Sequence, residues 1–128
     1  MKLVLDTNKY KALSEGDPKT LQHVRFADTI AIPFVVLAEI KSGLRLKSKT
    51  LQNEKILNRF LNLPRVKVLY PDEETIEHYS HLYIQLRRQG TPIPTHDLWI
   101  AALTLQHRMN LLTRDQHFKN IPQLTLVE

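Results

Sequence analysis

Short apolar runs that alternate with longer amphipathic stretches constrain this chain more than any other feature. Lys2–Leu5, residues 29–32, Val66–Leu69, residues 111–113 and residues 124–127 read as strands. The stretches between them read as helices. Residues 8–14 predict a short one capped by Thr7 or Asn8, and Leu21, Val24 and Phe26 mark a second after the break at Gly16-Asp17-Pro18. A third runs from Pro33, at its first helical position, to about Leu46, with Val36, Ile40 and Leu44 as its apolar stripe. Residues 51–63 repeat the pattern. Pro71-Asp72-Glu73-Glu74 opens a long helix that Gly90 ends, with Ile76, Tyr79, Leu82, Tyr83 and Leu86 on its buried side. A stiff loop over residues 91–95 leads to a helix from Asp97 to about Arg108, and residues 116–120 form a turn. Strands separated by helices predict the α/β class, with a mainly parallel sheet of about five strands and helices on both faces. Ligands of such sheets bind beyond the carboxyl ends of the strands.

A length of 128 residues fits a single domain, 1–128. The absence of Cys excludes a disulfide scaffold, thiolate chemistry and thiolate-held zinc or iron–sulfur. The longest nearly unbroken apolar run, residues 30–38, is about half of what a bilayer needs and contains a proline. Asp6 arrives too early for the core of a signal peptide. The expectation is a cytoplasmic protein with no membrane partner.

Acids are scarce enough for each position to inform. Asp6 ends the first strand, and Asp115 lies two residues past residues 111–113. In a parallel sheet both fall at the same edge. Asp97 starts a helix, and such helices begin near strand carboxyl ends. Glu39 lies about six residues, or ~9 Å, into the helix from Pro33. Its sequence neighbours Val36, Leu37, Ala38, Ile40 and Leu44 place it at the margin of the core, where it needs a partner to stay charged. Each acid has a bland role available: Asp6 or Asp97 as a helix cap, Asp115 in a turn, Glu39 in an ion pair. Separate bland roles do not explain why all four fall where the fold brings them together.

Clustered carboxylates repel, and a divalent cation removes the repulsion. Mg²⁺ and Mn²⁺ favour all-oxygen shells, and at a phosphodiester such an ion activates water and neutralises phosphoryl charge. The charge balance suits a polyanionic substrate. Setting the four acids aside leaves 9 against 18 Lys and Arg. Residues 40–53 hold no acid but carry Lys41, Arg45, Lys47 and Lys49, and Arg114 adjoins Asp115. Lys41, Arg45 and Arg114 are the candidate phosphate contacts.

Four segments, in order, resemble PIN-domain ribonucleases, in particular VapC-like toxins of toxin–antitoxin pairs. They are Leu3-Val4-Leu5-Asp6-Thr7-Asn8, then Val36-Leu37-Ala38-Glu39-Ile40-Lys41-Ser42-Gly43-Leu44, then Pro94-Thr95-His96-Asp97-Leu98-Trp99-Ile100-Ala101-Ala102, and finally Leu111-Leu112-Thr113-Arg114-Asp115-Gln116-His117-Phe118. The resemblance implies a PIN-like three-layer α/β/α sandwich. It implies an endoribonuclease that uses one or two Mg²⁺ or Mn²⁺ ions and cuts structured RNA such as transfer RNA. A homodimer and inhibition by a cognate antitoxin are also implied. His96 stands where the family often has Asn.

On this basis Asp6 and Asp97 are expected to bind metal, Asp115 to bind it directly or through water, and Glu39 to complete the shell. Thr113 is expected to bond a carboxylate or a phosphate, and Thr7 and Asn8 to support the site or cap a helix. The expected reaction is in-line hydrolysis that leaves a 5′-phosphate. His96 and His117 lie near acids without forming a distinctive pattern, and catalysis is not assigned to them. Trp99, Tyr79 and Tyr83 read as packing residues. A phosphatase using Asp6 as nucleophile would want an acid at position 8, which is Asn. A binding module that does not cut RNA would gain nothing from four intact acids.

Overall fold

The structure, a computed structural model, describes residues 1–128. In chain order the elements are β1 (Lys2–Leu5), α1 (Thr7–Ser14), α2 (Pro18–Phe26), β2 (Thr29–Pro33), α3 (Phe34–Arg45) and α4 (Thr50–Leu61). They continue with β3 (Val66–Leu69), α5 (Glu73–Gln89), α6 (Thr95–Gln106), β4 (Asn110–Leu112), a 3₁₀ turn (Gln116–Asn120) and β5 (Leu126–Val127). The five strands form one sheet in the order β3-β2-β1-β4-β5, and every pairing is parallel. Leu3 sits between Ile30 and Asn110, Leu5 beside Leu112. The α/β class and the five strands match the expectation, and the sheet is wholly rather than mainly parallel.

Covering both faces of a parallel sheet makes its central strands apolar throughout. Leu3, Val4, Leu5, Ile30, Ala31 and Ile32 are fully buried, and they belong to one hydrophobic cluster that draws on every helix. Right-handed crossovers put α1–α4 on one face of the sheet and α5, α6 and the 3₁₀ turn on the other. The chain works outward from β1 to β3, then returns past β1 to β4. The direction therefore reverses between β1 and β4, and the crevice beyond their carboxyl ends is the topological switch point.

Several boundaries differ from the sequence reading for local reasons. Asp6, not Thr7 or Asn8, caps α1. Asp17 caps α2, so the expected break at residues 16–18 is a helix start with Pro18 in its first turn. Pro33 is the last residue of β2, opposite Leu69, a strand end where a missing N–H costs little. Pro94 precedes α6, which begins at Thr95 and makes Asp97 an interior residue instead of the first. On α5 the buried stripe narrows to Thr75, Leu82 and Leu86, and Ile76 and Tyr83 are exposed. Gly90 ends α5 in the left-handed conformation (φ 76°) that suits glycine. Trp99 packs as expected, its ring 4.5 Å from that of Tyr79 and 5.8 Å from that of Phe34. No helix is long and apolar enough to cross a membrane.

Candidate active site

Asp6 leaves β1 at the switch point with 6% of its surface exposed. One carboxylate oxygen, Oδ1, caps α1 by accepting the Lys9 N–H at 2.9 Å. The other, Oδ2, accepts the Thr113 hydroxyl. Burial pushes the Asp6 carboxyl above its ordinary range, and the repulsion of Asp115 adds to that. The Thr113 and Lys9 hydrogen bonds and the Lys9 charge oppose the shift without cancelling it.

Thr113 follows β4 and serves two neighbours. Its hydroxyl donates to Asp6 and accepts the Asp115 N–H at 3.0 Å. This one oxygen ties the ends of β1 and β4 together. Replacing Thr113 with Val keeps the shape and leaves a buried carboxylate oxygen without its donor. The expected loss is about 1.5–3 kcal/mol of stability in denaturant titration, with Thr113→Ser close to wild type. Equal stability of the Val and Ser variants would contradict this role.

Asp115 caps the 3₁₀ turn by accepting the His117 N–H at 2.9 Å. The His117 ring swings back over the same acid, its Nδ1 3.3 Å from Asp115 Oδ1 and 2.7 Å from Asp97 Oδ2. Asp97 is buried near the start of α6. Glu39 faces α6 from α3, with Oε2 3.2 Å from His96 Nε2. Its side chain is 53% exposed, so it does not lie at the core margin. The buried residues of α3 are Val36 and Ile40, and Glu39 is turned about 100° from Ile40 around the helix.

Asp6, Glu39, Asp97 and Asp115 thus come from four separate elements and line one cleft of about 120 Å³. Thr7, Asn8 and His96 line it too. The Thr7 hydroxyl is buried there with no hydrogen-bond partner. Arg114 is exposed and lines an adjoining cleft that also contains Asp6 and Asp115. Lys41 and Arg45 line neither cleft; Arg45 pairs instead with Glu54 on α4, at 3.1 Å. The sequence reading weighed His117 without giving it a role, and it missed Lys9. His117 touches two of the acids, and the Asp-x-His spacing behind a strand was its only signal. Lys9, 5% exposed and one turn from Asp6, gave none.

One donor atom from each of Asp97, Asp115 and His117 falls within 4.8 Å of the others, a spacing that fits a cation. The mixture of carboxylate oxygens and an imidazole nitrogen suits a hard or borderline divalent ion. Fold and cleft together define an α/β domain of the acid-cluster kind, in which carboxylates from distant parts of the sequence share one crevice at the switch point. The family model described as PIN domain matches residues 3–124, and the chain belongs to that family.

The chain is 31% identical over 126 residues to Ribonuclease VapC1 of Haemophilus influenzae (strain R2866), covering 94% of this chain and 92% of that protein. It is 33% identical over 100 residues to Ribonuclease VapC2 of Rickettsia felis, covering 77% and 73%. Among solved structures, VapBC2 from Rickettsia felis bound to a DNA fragment from their promoter superposes with a TM-score of 0.87 at 29% identity, over 99% of this chain and 98% of that one. VapBC-1 from nontypeable Haemophilus influenzae also reaches 0.87, at 30% identity, over 100% and 98%.

Proposed function

We propose that residues 1–128 act as one unit, a divalent-cation-dependent endoribonuclease that is the toxin of a toxin–antitoxin pair. The convergence of Asp6, Glu39, Asp97 and Asp115 in one cleft carries this reading. The ribonuclease names of the relatives and the VapBC neighbours support it.

Asp97, Asp115 and His117 would hold one Mg²⁺ or Mn²⁺ ion, with Asp6 beside them and Glu39 completing the polar shell. Such an ion supplies Lewis acidity toward a phosphoryl oxygen and lowers the pKa of water. The chain's own part is orientation. Thr113 fixes the Asp6 carboxylate and, through the Asp115 N–H, the start of the 3₁₀ turn. His96 steadies Glu39 from the next helix. Arg114, beside the acids, faces the position an RNA phosphate would take.

The partners proposed are RNA, a cognate antitoxin and a second copy of the chain, in the cytoplasm. The exposed Ile76, Tyr83 and Ile84 on α5 offer an apolar face for the copy. Incubating the purified chain with total RNA tests the activity. Discrete fragments with Mg²⁺ or Mn²⁺ that vanish with EDTA are expected. Cutting that survives EDTA, or no cutting with either ion, overturns the proposal.

A further inference from the structure

We propose that the cleft between Lys9 and Arg114 seats an RNA backbone phosphate next to the one that is cut. This rests on the ribonuclease reading and extends it to a substrate subsite. The cleft has a volume of about 290 Å³ and shares Asp6, Asn8 and Asp115 with the acid cleft, so one strand of RNA can lie across both. Lys9, Asp17 and Arg114 form the rest of its polar wall.

Lys9 is the unusual member. It is 5% exposed, and its ammonium makes no hydrogen bond or ion pair within the chain while keeping contact with solvent. The stem is covered by protein while the head faces the cleft, a posture suited to meeting a ligand. The nearby acids do not satisfy it. Asp6 is engaged by the Lys9 N–H and by Thr113. Asp17 gives Oδ2 to the Thr20 N–H at 2.9 Å and the Thr20 hydroxyl at 2.7 Å. Arg114 holds only a loose, exposed ion pair, with Glu128 at 3.9 Å and its own side chain 64% exposed. Both cations act on the Asp17 carboxyl, helping Thr20 to hold it below its ordinary range, so they converge on the same space. Against Asp6, Asp17 and Asp115 two cations alone would not attract a phosphate. A divalent ion on the acids removes most of that repulsion, so the subsite fills only when the site is charged with its ion.

The test uses the Asp6→Asn chain, which keeps Asp97, Asp115 and His117 for the ion and is expected to cut about 10³-fold more slowly, with a fluorescein-labelled stem–loop RNA in Mg²⁺. Anisotropy gives the affinity across a KCl series. Lys9→Met and Arg114→Met are each expected to weaken binding and to lower the slope of log affinity against log salt by about one. Lys9→Arg keeps the slope, as does Lys55→Met on α4. Unchanged slopes in the Lys9→Met and Arg114→Met chains overturn the subsite. So does a Lys55→Met effect of equal size, which would report net charge alone. Should Lys9→Met not fold, Arg114→Met decides. A lower melting temperature of Lys9→Met with an unchanged slope means a structural lysine and also overturns it. Failure of the wild-type chain to cut RNA with Mg²⁺ or Mn²⁺ would count against the ribonuclease reading instead, and the slopes are read independently of it.

Discussion

Replacing Asp6 with Asn is expected to lower cation-dependent RNA cleavage about 10³-fold, because the charge stabilisation of a divalent ion at a phosphodiester is worth several kcal/mol. The substitution is narrow. Asn is as good a helix cap as Asp, and its carbonyl oxygen can still accept the Lys9 N–H or the Thr113 hydroxyl. What leaves is the charge. RNA affinity is therefore expected to hold or rise, since one repulsive carboxylate is gone from the cleft. Cleavage within tenfold of wild type would remove Asp6 from the mechanism. The same variant reports on stability without added ions. Burial raises the Asp6 pKa in the folded chain above its unfolded value. The stability this group contributes is full below the unfolded pKa and is lost as pH rises through the folded one. The melting temperature of Asp6→Asn relative to wild type should thus climb as pH rises from the carboxylate range to neutrality. A constant difference across that range would contradict the buried, uncompensated charge.

Truncating Phe118 to Ala is expected to cost about 3–5 kcal/mol and to lower the melting temperature by on the order of 10–20 °C. Phe118 is 1% exposed, in the middle of the 3₁₀ turn, and lines the acid cleft. The turn is too short to hold itself in place, and this ring is its only buried side chain. Asp115 and His117 ride on the same segment, so cleavage should fall further than the loss of folded protein explains. Phe118→Leu, which keeps most of the buried area, should retain most of both. A loss under about 1 kcal/mol for the Ala variant would show that the turn is anchored elsewhere.

The strands were legible because both faces of a parallel sheet must be apolar, and Lys2–Leu5 and Val66–Leu69 have the predicted bounds. Strand ends located Asp6 and Asp115 for the same reason. The start of α6 was less legible. Pro92 and Pro94 read as loop, but Pro94, with φ −59°, leads directly into the helix, and no capping side chain marks the place. The setting of Glu39 was misjudged because neighbours along a helix are not neighbours around it. Helical phase likewise carries Lys41 and Arg45 away from the cleft that Glu39 lines. Lys9 occupies an ordinary polar position of an eight-residue helix, and only the assembled fold buries it. No local pattern announces such a burial.

The Thr113–Asp6 bond joins residues 107 apart, and β1, the middle strand, has an unpaired edge until β4 arrives. A chain still emerging from the ribosome can complete α1 to α6 and yet hold only part of its acid set. Competence arrives late, after residue 115 is free to fold back against residue 6. Synthesis itself thus acts as a timer on the assembly of the acid cleft.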